Sequence, residues 1–564
     1  MLSLPMSVNS KIPGDKYSLN DVHPSFDMTQ ARPKDFDKKI GGMDFLPNGK
    51  LIVSCWDSEG GIYVLDNVDS GDENLITAKK IAQGLAEPLG VKVVDGRIFV
   101  MQKQEITELI DTNNDEIIDE YRTLCDSWGV SANFHEFGFG LEEKDGYLYA
   151  NLATGIQPGG AGVVTQHINR GNCIKVSIED GSIEFVANGL RTPNGIGIGH
   201  NDDLYIADNQ GDWLPASKIL HVSKGAFFGS RAVDFEGTEG VKEKKPVVWL
   251  PQDEIGNSPS TPSYLNVGPY KNQMIHGEVT HGGIKRVFVE EVEGQYQGAV
   301  FRFTQGLEGG INRVTWGPDG ALYAGGIGNP GNWQHTGTKW YGLQRLAYNN
   351  KSTFEMLSIN AKSNGIEITF TEPLKEGEGW KKKDYEIRQW YYLPTKEYGG
   401  PKLDDRELNI KTVSVSEDRT KVFLEMGGMK EDHVIYVHLK NHFVSSNENS
   451  LWSTEAWYTM NRIPKNEPGV VRKNKSPLRN NTLTASEKND GWELLFDGKS
   501  INEFHTFNSD KVDSKWIVDG DAIKFNSKGK GKGGDLVTND IYENFEFSLE
   551  WKISNCGNSG IFFN

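Results

Sequence analysis

Cysteine is scarce in this chain of 564 residues: there are four, Cys55, Cys125, Cys173 and Cys556, far apart and without a CxxC pair. That spacing gives no support to a disulfide scaffold, a zinc ribbon or a c-type haem, and it leaves small buried thiols as the plain reading. Long apolar runs are missing. None approaches the roughly 18 residues that a membrane helix needs, so no membrane span is expected. The opening MLSLPMSVNSK has neither a basic n-region nor an apolar h-region, so no secretory signal is visible. Excess positive charge is absent too. The net charge is −18, which repels phosphate backbones and argues against a nucleic-acid partner. Helical periodicity is almost absent, which excludes helical solenoids.

Glycine is what the chain has in excess: 64 residues, where an average composition has about 7%. No G-X-Y period runs through it, so collagen is excluded. Tight turns between short strands are the ordinary cause of such an excess. The turns recur. An apolar strand, a turn on Asp/Asn-Gly or a similar pair, and an apolar-aromatic strand appear from Gly41, Gly90, Gly138, Asn194 and Ile311, with a degenerate copy from Pro269. Four strands in about 50 residues make one propeller blade. Six copies predict a six-bladed β-propeller over residues 25–350.

From Phe354 the pattern changes to period-two alternation, as in NGIEITFTEPL and HVIYVHLKNHFVS. It predicts an immunoglobulin-like β-sandwich over 354–462. The basic-aromatic GWKKKDYEIRQWYYLPTKEYGGPK within it reads as an inserted, surface-lying segment. Residues 463–490 are polar and aperiodic, a linker by composition. A third unit opens with GWELLFDGKS and runs over 491–564. In NFEFSLEWK, Phe545, Phe547, Leu549 and Trp551 share one strand face, and Glu546, Ser548, Glu550 and Lys552 the other. An antiparallel sheet needs partners for its edges, so this unit is expected to be cut short. The predicted class is all-β throughout.

Several constellations carry chemistry. Asp111, Asn113, Asp115 and Asp119 place oxygen side chains at alternate positions, which lets a short loop wrap a calcium ion. The loop departs from an EF-hand: Glu116 stands at the glycine position and Arg122 at that of the bidentate glutamate. A solvated acidic turn is the alternative. His135, in NFHEFGFG, precedes a predicted blade and is a candidate general base. The alternative is a hydrogen-bonded structural histidine. Arg191, in GLRTPNG, offers a bidentate clamp for a carboxylate, with a blade-to-blade ion pair as the alternative.

His135 before a blade, then GLRTPNG, then a blade ending DNQGDW, resembles the soluble quinoprotein glucose/sorbosone dehydrogenases. The resemblance implies a propeller holding pyrroloquinoline quinone and calcium. It makes His135 the base that takes the sugar hydroxyl proton, and Arg191 and Gln210 quinone contacts. The carbonyl of Gly211 would be a calcium ligand, and an electron acceptor would be the partner. Thr154 stands where that family has the aspartate orienting the histidine, and Thr192 where it has an asparagine.

The segments GWELLFDGKSINEF, KWIVDGDAI, GGDLVTNDIYENFEFSLEWKIS and GNSGIFF resemble the first part of a 3-keto-disaccharide hydrolase domain. That resemblance implies a concanavalin-like jelly-roll, truncated here, that acts on glycosides oxidised at C3. Glu550 is its candidate catalytic carboxylate. Glu546 lies about 13 Å away along the strand at ~3.3 Å per residue, too far for the about 5–9.5 Å of paired hydrolase carboxylates. A second carboxylate must come from another strand. A carbohydrate-active enzyme of periplasmic or secreted location, a quinone-dependent sugar dehydrogenase and a non-catalytic glycan- or protein-binding propeller remain the three readings.

Overall fold

A computed structural model describes residues 17, 19–328, 339–440, 443–472, 481–483, 485–554, 557 and 559–563. The chain divides into two units, Met1–Asn474 and Lys475–Asn564. The opening MLSLPMSVNSK and Cys556 lie outside the described residues. Cys55, Cys125 and Cys173 are buried free thiols.

In the first unit, six antiparallel meanders follow one another along the described chain. The first runs through Ile40–Phe45, Leu51–Cys55, Ile62–Asp66 and Thr77–Ala82, and the second through Gly90–Val94, Arg97–Met101, Ile106–Ile110 and Glu120–Cys125. The third has Gly138–Lys144, Tyr147–Leu152, Asn172–Ser177 and Ile183–Asn188, with the short parallel Ala226–Phe227 at its edge. The fourth is Gly195–Ile198, Leu204–Asp208, Ser217–His221 and Val248–Leu250. The fifth is Pro259–Leu265, Gln273–Glu278, Ile284–Val292 and Gln295–Thr304. The sixth is Gly310–Trp316, Leu322–Ile327 and Tyr341–Tyr348, completed by Phe26–Gln30 from the start of the chain, with Phe26 opposite Tyr348. The first strand of each sheet packs against the first strand of the next, and the sixth returns to the first. The result is a closed, propeller-like ring of sheets.

The predicted turns form for the predicted reason. Asp95-Gly96 joins Val94 to Arg97 with both central φ angles positive (50° and 80°), and Asp145-Gly146 repeats this at 55° and 81°. Two-residue hairpins of the right twist require this backbone, which Asp-Gly supplies. Glycine has a second use that turns do not explain. A Cβ on Gly42 would lie 2.4 Å from the Val91 nitrogen, and one on Gly90 2.3 Å from the Gly140 carbonyl oxygen. Neighbouring first strands therefore meet backbone to backbone, which only glycine allows. The centre is closed by Arg313. Its guanidinium donates to the carbonyls of Leu89 (2.6 Å), Asn194 (2.8 Å) and Asn312 (2.8 Å), tying three sheets together. Burial pulls its pKa down to about 9.

The rest of the unit is a sandwich of two sheets. One contains Met356–Lys362, Gly365–Phe370, Lys421–Met426 and Ile410–Val415. The other contains Leu403–Glu407, Tyr385–Tyr391, His433–Leu439 and Glu455–Met460. Between them Ile359, Ile368, Leu424, Ile387, Ile435 and Val437 are buried. Each such side chain contributes about 2 kcal/mol by leaving water. This sheet is continuous with the ring: Glu455–Met460 pairs with Gln295–Thr304, Val300 opposite Trp457. The basic-aromatic segment is only partly on the surface. Tyr385 and Trp390 are buried because Tyr385–Tyr391 is an interior strand of the sandwich.

The second unit has little core. Its regular pieces are Ala485–Asn489, a helical turn, and two strand pairs, Phe504–Thr506 with Leu536–Thr538 and Trp516–Asp519 with Ala522–Phe525. The predicted strand NFEFSLEWK is not among them. Phe545, Phe547, Leu549 and Trp551 are 43–64% exposed and no described strand pairs with them. An extended segment with alternating faces forms a strand only where a neighbour takes its backbone hydrogen bonds.

Candidate functional site

Four of the predicted site residues, His135, Arg191, Gln210 and Gly211, meet at one rim of the ring. His135 lies in the loop entering Gly138–Lys144, and Thr154 follows Tyr147–Leu152. Those strands are antiparallel, Gly138 opposite Leu152, so the entrance of one and the exit of the other share an edge. Arg191 and Thr192 precede Gly195–Ile198 of the next sheet, and the Thr154 N–H donates to the Arg191 carbonyl at 2.9 Å. Gln210 and Gly211 follow Leu204–Asp208 on that same rim.

His135 is buried. Its Nδ1 faces the Thr154 carbonyl at 2.8 Å, so that nitrogen carries the proton and donates. Nε2 is then the acceptor, and the Thr192 hydroxyl donates to it at 3.1 Å. The Thr154 hydroxyl turns away and donates to the Arg191 carbonyl at 3.2 Å. The imidazole is thus oriented by a peptide carbonyl. Burial, helped by the Arg191 charge, holds its pKa down to about 3, so the ring is neutral near pH 7.

The Arg191 guanidinium donates to Thr192 Oγ1 at 2.9 Å and to the Gly160 carbonyl. Its carbon lies 5.1 Å from the centre of the Tyr398 ring. Beneath it, the Asp208 carboxylate is fully buried and accepts the N–H groups of Arg191 (3.2 Å) and Thr192 (2.8 Å). Burial pushes the Asp208 pKa up to about 6. Gln210 donates through Nε2 to the Pro215 carbonyl at 2.9 Å. The Gly211 carbonyl accepts two N–H groups, from Leu214 and from Gly399, each at 3.0 Å.

Tyr398 and Gly399 belong to residues 392–402, which leave the sandwich strand Tyr385–Tyr391 and cross this rim. The Trp213 N–H donates to the Thr395 carbonyl at 2.8 Å and the Gly400 N–H to the Pro215 carbonyl at 3.0 Å. Asp212 and Tyr398 form a backbone bridge. Gly399 has φ +70°, and a Cβ there would come within 2.8 Å of the Gln210 side chain. At its end, Lys402 pairs with Glu254 and lies 3.7 Å from the centre of the Trp390 ring. Tyr398, Gly160 and Asp208 were not singled out from the sequence. Asp208, the first residue of the DNQGDW stretch and the last of its strand, was the one legible as a carboxylate. The strap's contacts run mostly through backbone and leave no side-chain signature.

The acidic loop folds onto itself. Asp111 accepts the N–H groups of Asn114 (2.7 Å) and Glu116 (2.8 Å), Asp115 that of Ile117 (2.8 Å), and Asp119 that of Thr112 (2.9 Å). Asn113 meets Asp119 at 3.2 Å, and Lys79 pairs with Glu116 at 3.2 Å. Among the described residues no three His, Cys, Asp or Glu side chains gather as a metal site. Glu550, in the second unit, is exposed in the unpaired stretch.

The C-terminal motifs are matched independently. Residues 491–564 fit the family model of the 3-keto-alpha-glucoside-1,2-lyase-like domain. The chain ends in a 3-keto-disaccharide hydrolase domain match. Over 79 residues it is 44% identical to a "3-keto-disaccharide hydrolase" of Bacteroides thetaiotaomicron, covering 13% of this chain and 27% of that protein. The chain therefore spans about a quarter of that relative's length. The first unit is similar to solved structures at low identity. A PQQ-bound aldose sugar dehydrogenase from Streptomyces coelicolor has a TM-score of 0.43 and 15% identity, over 59% of this chain and 100% of that one. A calcium structure of a Trichoderma reesei carbohydrate-active enzyme of family AA12 has a TM-score of 0.43 and 12% identity, over 60% and 99%. Likeness at this level assigns no activity to the chain. No helix among the described residues is long and apolar enough to cross a membrane.

Proposed function

We propose that this is a carbohydrate-active protein whose residues 491–564 engage glycosides oxidised at C3. The observation that carries the reading is the family match with 44% identity to a 3-keto-disaccharide hydrolase. Oxidation at C3 acidifies the C2 hydrogen. A base takes that proton, the C1–oxygen bond breaks with its electrons leaving on the departing sugar, and water adds to the resulting enone. Glu550 is the carboxylate proposed to take the C2 proton. We read the domain as a concanavalin-like jelly-roll, the ring of six sheets as a six-bladed β-propeller, and the location as periplasmic or secreted.

For the propeller, a non-redox role is the better supported reading. A histidine base is served by a carboxylate that stabilises the imidazolium it becomes, and His135 Nδ1 instead faces the neutral Thr154 carbonyl at 2.8 Å. A quinone-dependent dehydrogenase also needs Arg191 and the Gly211 carbonyl, and both are occupied. For the acidic loop, a bound calcium ion would have to draw Asp111, Asp115 and Asp119 away from the loop's own N–H groups.

The experiment is an assay with a 3-keto-disaccharide and its unoxidised parent, using the Bacteroides relative as positive control. The expected result is saturable binding or sugar release that favours the keto form by at least tenfold. Equal or absent response to both sugars would overturn the reading.

A further inference from the structure

We infer that residues 392–402 lie where a planar quinone and its calcium ion would have to sit, so the ring takes neither at His135, Arg191, Gln210 and Gly211. Three separate atoms support this. The first is the Arg191 guanidinium. One face carries the Tyr398 ring at 5.1 Å, and its N–H groups go to Thr192 and Gly160. An aromatic ring on a guanidinium is the contact that a planar anion would make. Burial works against its charge, and Asp208 and Asp212 offset part of that.

The second is the Gly211 carbonyl. A carbonyl oxygen has two lone pairs. Leu214 takes one and Gly399 the other. A hard cation binds through such a lone pair, so calcium would have to displace a backbone hydrogen bond that anchors the strap. The third is His135 Nε2, held by the Thr192 hydroxyl. The motifs GLRTPNG and DNQGDW thus serve a different purpose in this chain. They clasp a segment of the sandwich against the ring, on top of the shared sheet at Gln295–Thr304 and Glu455–Met460.

The clasp does not depend on the keto-glycoside reading. It is tested on the full chain by equilibrium dialysis with pyrroloquinoline quinone, with and without calcium, reading retained quinone by absorbance. Amide hydrogen exchange at Trp213, Gly399 and Gly400 is read in parallel. The quinone-binding Streptomyces enzyme is the positive control. The expected result is no retention above background and exchange at those amides slowed by at least a hundredfold relative to an unstructured peptide. Tyr398→Ala is the companion variant. Quinone uptake by that variant and not by its parent identifies the strap as the occupant. Uptake by neither agrees with the occupied Gly211 carbonyl and His135. Stoichiometric, calcium-dependent retention by the unaltered chain overturns the inference, as does exchange at the strap amides as fast as in a free peptide.

Discussion

The strand His433–Leu439 of the sandwich and the segment Phe545–Lys552 of the second unit have similar alternating sequences, HVIYVHL and FEFSLEWK. In the first, all seven residues are buried. In the second, both faces are exposed. The difference is pairing. His433–Leu439 lies between Tyr385–Tyr391 and Glu455–Met460 and faces a second sheet. Phe545–Lys552 has no described neighbour on either edge. Alternation says which residues share a face, and burial depends on partners that a local pattern does not name.

The largest effect is expected where the first unit buries charge at the junction of ring and sandwich. Glu355 is buried against His23 (3.0 Å), Arg286 (3.2 Å) and Tyr270. Glu355→Ala leaves Arg286 buried without that partner, and should cost about 3–5 kcal/mol in denaturant unfolding. Core truncation gives the direct contrast between the regions. Ile435→Ala, at 0% exposure, should cost about 2–5 kcal/mol. Phe547→Ala, at 43% exposure, should stay within about 0.5 kcal/mol. A large loss at Phe547 would show that its segment is packed after all.

A smaller effect follows from His135. Its folded pKa is about 3, and the unfolded imidazole titrates near 6.5. Between those values the unfolded chain binds the proton and the fold does not. Stability is therefore full above pH 6.5 and falls as the pH drops, by about 1.4 kcal/mol per unit. Asp208 works the other way. Its raised pKa of about 6 favours the fold as the pH falls below that value, which offsets part of the loss. His135→Asn should flatten the acid limb between pH 6.5 and 4.5, measured by thermal melts. An unchanged slope would mean that the imidazole is already protonated in the fold. Among the destabilising changes the mildest is Tyr398→Ala, which removes one ring from the strap and should cost about 1 kcal/mol.

Much of the ring was legible because its turns are chemically specific. Asp95-Gly96 and Asp145-Gly146 announce two-residue hairpins, and both form. The fifth sheet was misplaced. Its first strand is Pro259–Leu265, PSTPSYL, ahead of the copy read from Pro269. Two prolines and a bulge between Pro259 and Pro262 hide it, since proline argues against a strand by its missing N–H. Residues 463–472 read as linker because they are polar. They nonetheless run along the sandwich, with the Gly469 N–H on Asn364 (2.9 Å) and the Arg472 N–H on Ser414 (3.0 Å). The strap was illegible for the same reason. Backbone hydrogen bonds between segments far apart in sequence carry no residue code. His135, Arg191, Gln210 and Gly211, read from the sequence as candidates, lie together on one rim, where Thr192 and the strap are their hydrogen-bond and ring partners.

The proposed function assigns sugar recognition to the second unit and not to the ring, and one titration tests that division. A 3-keto-disaccharide would be titrated by calorimetry into the full chain, into His135→Asn and into Glu550→Gln. The division predicts that Glu550→Gln weakens the response at least tenfold, while His135→Asn leaves it within twofold of the parent. A response lost in His135→Asn and kept in Glu550→Gln would place sugar recognition on the ring and contradict it.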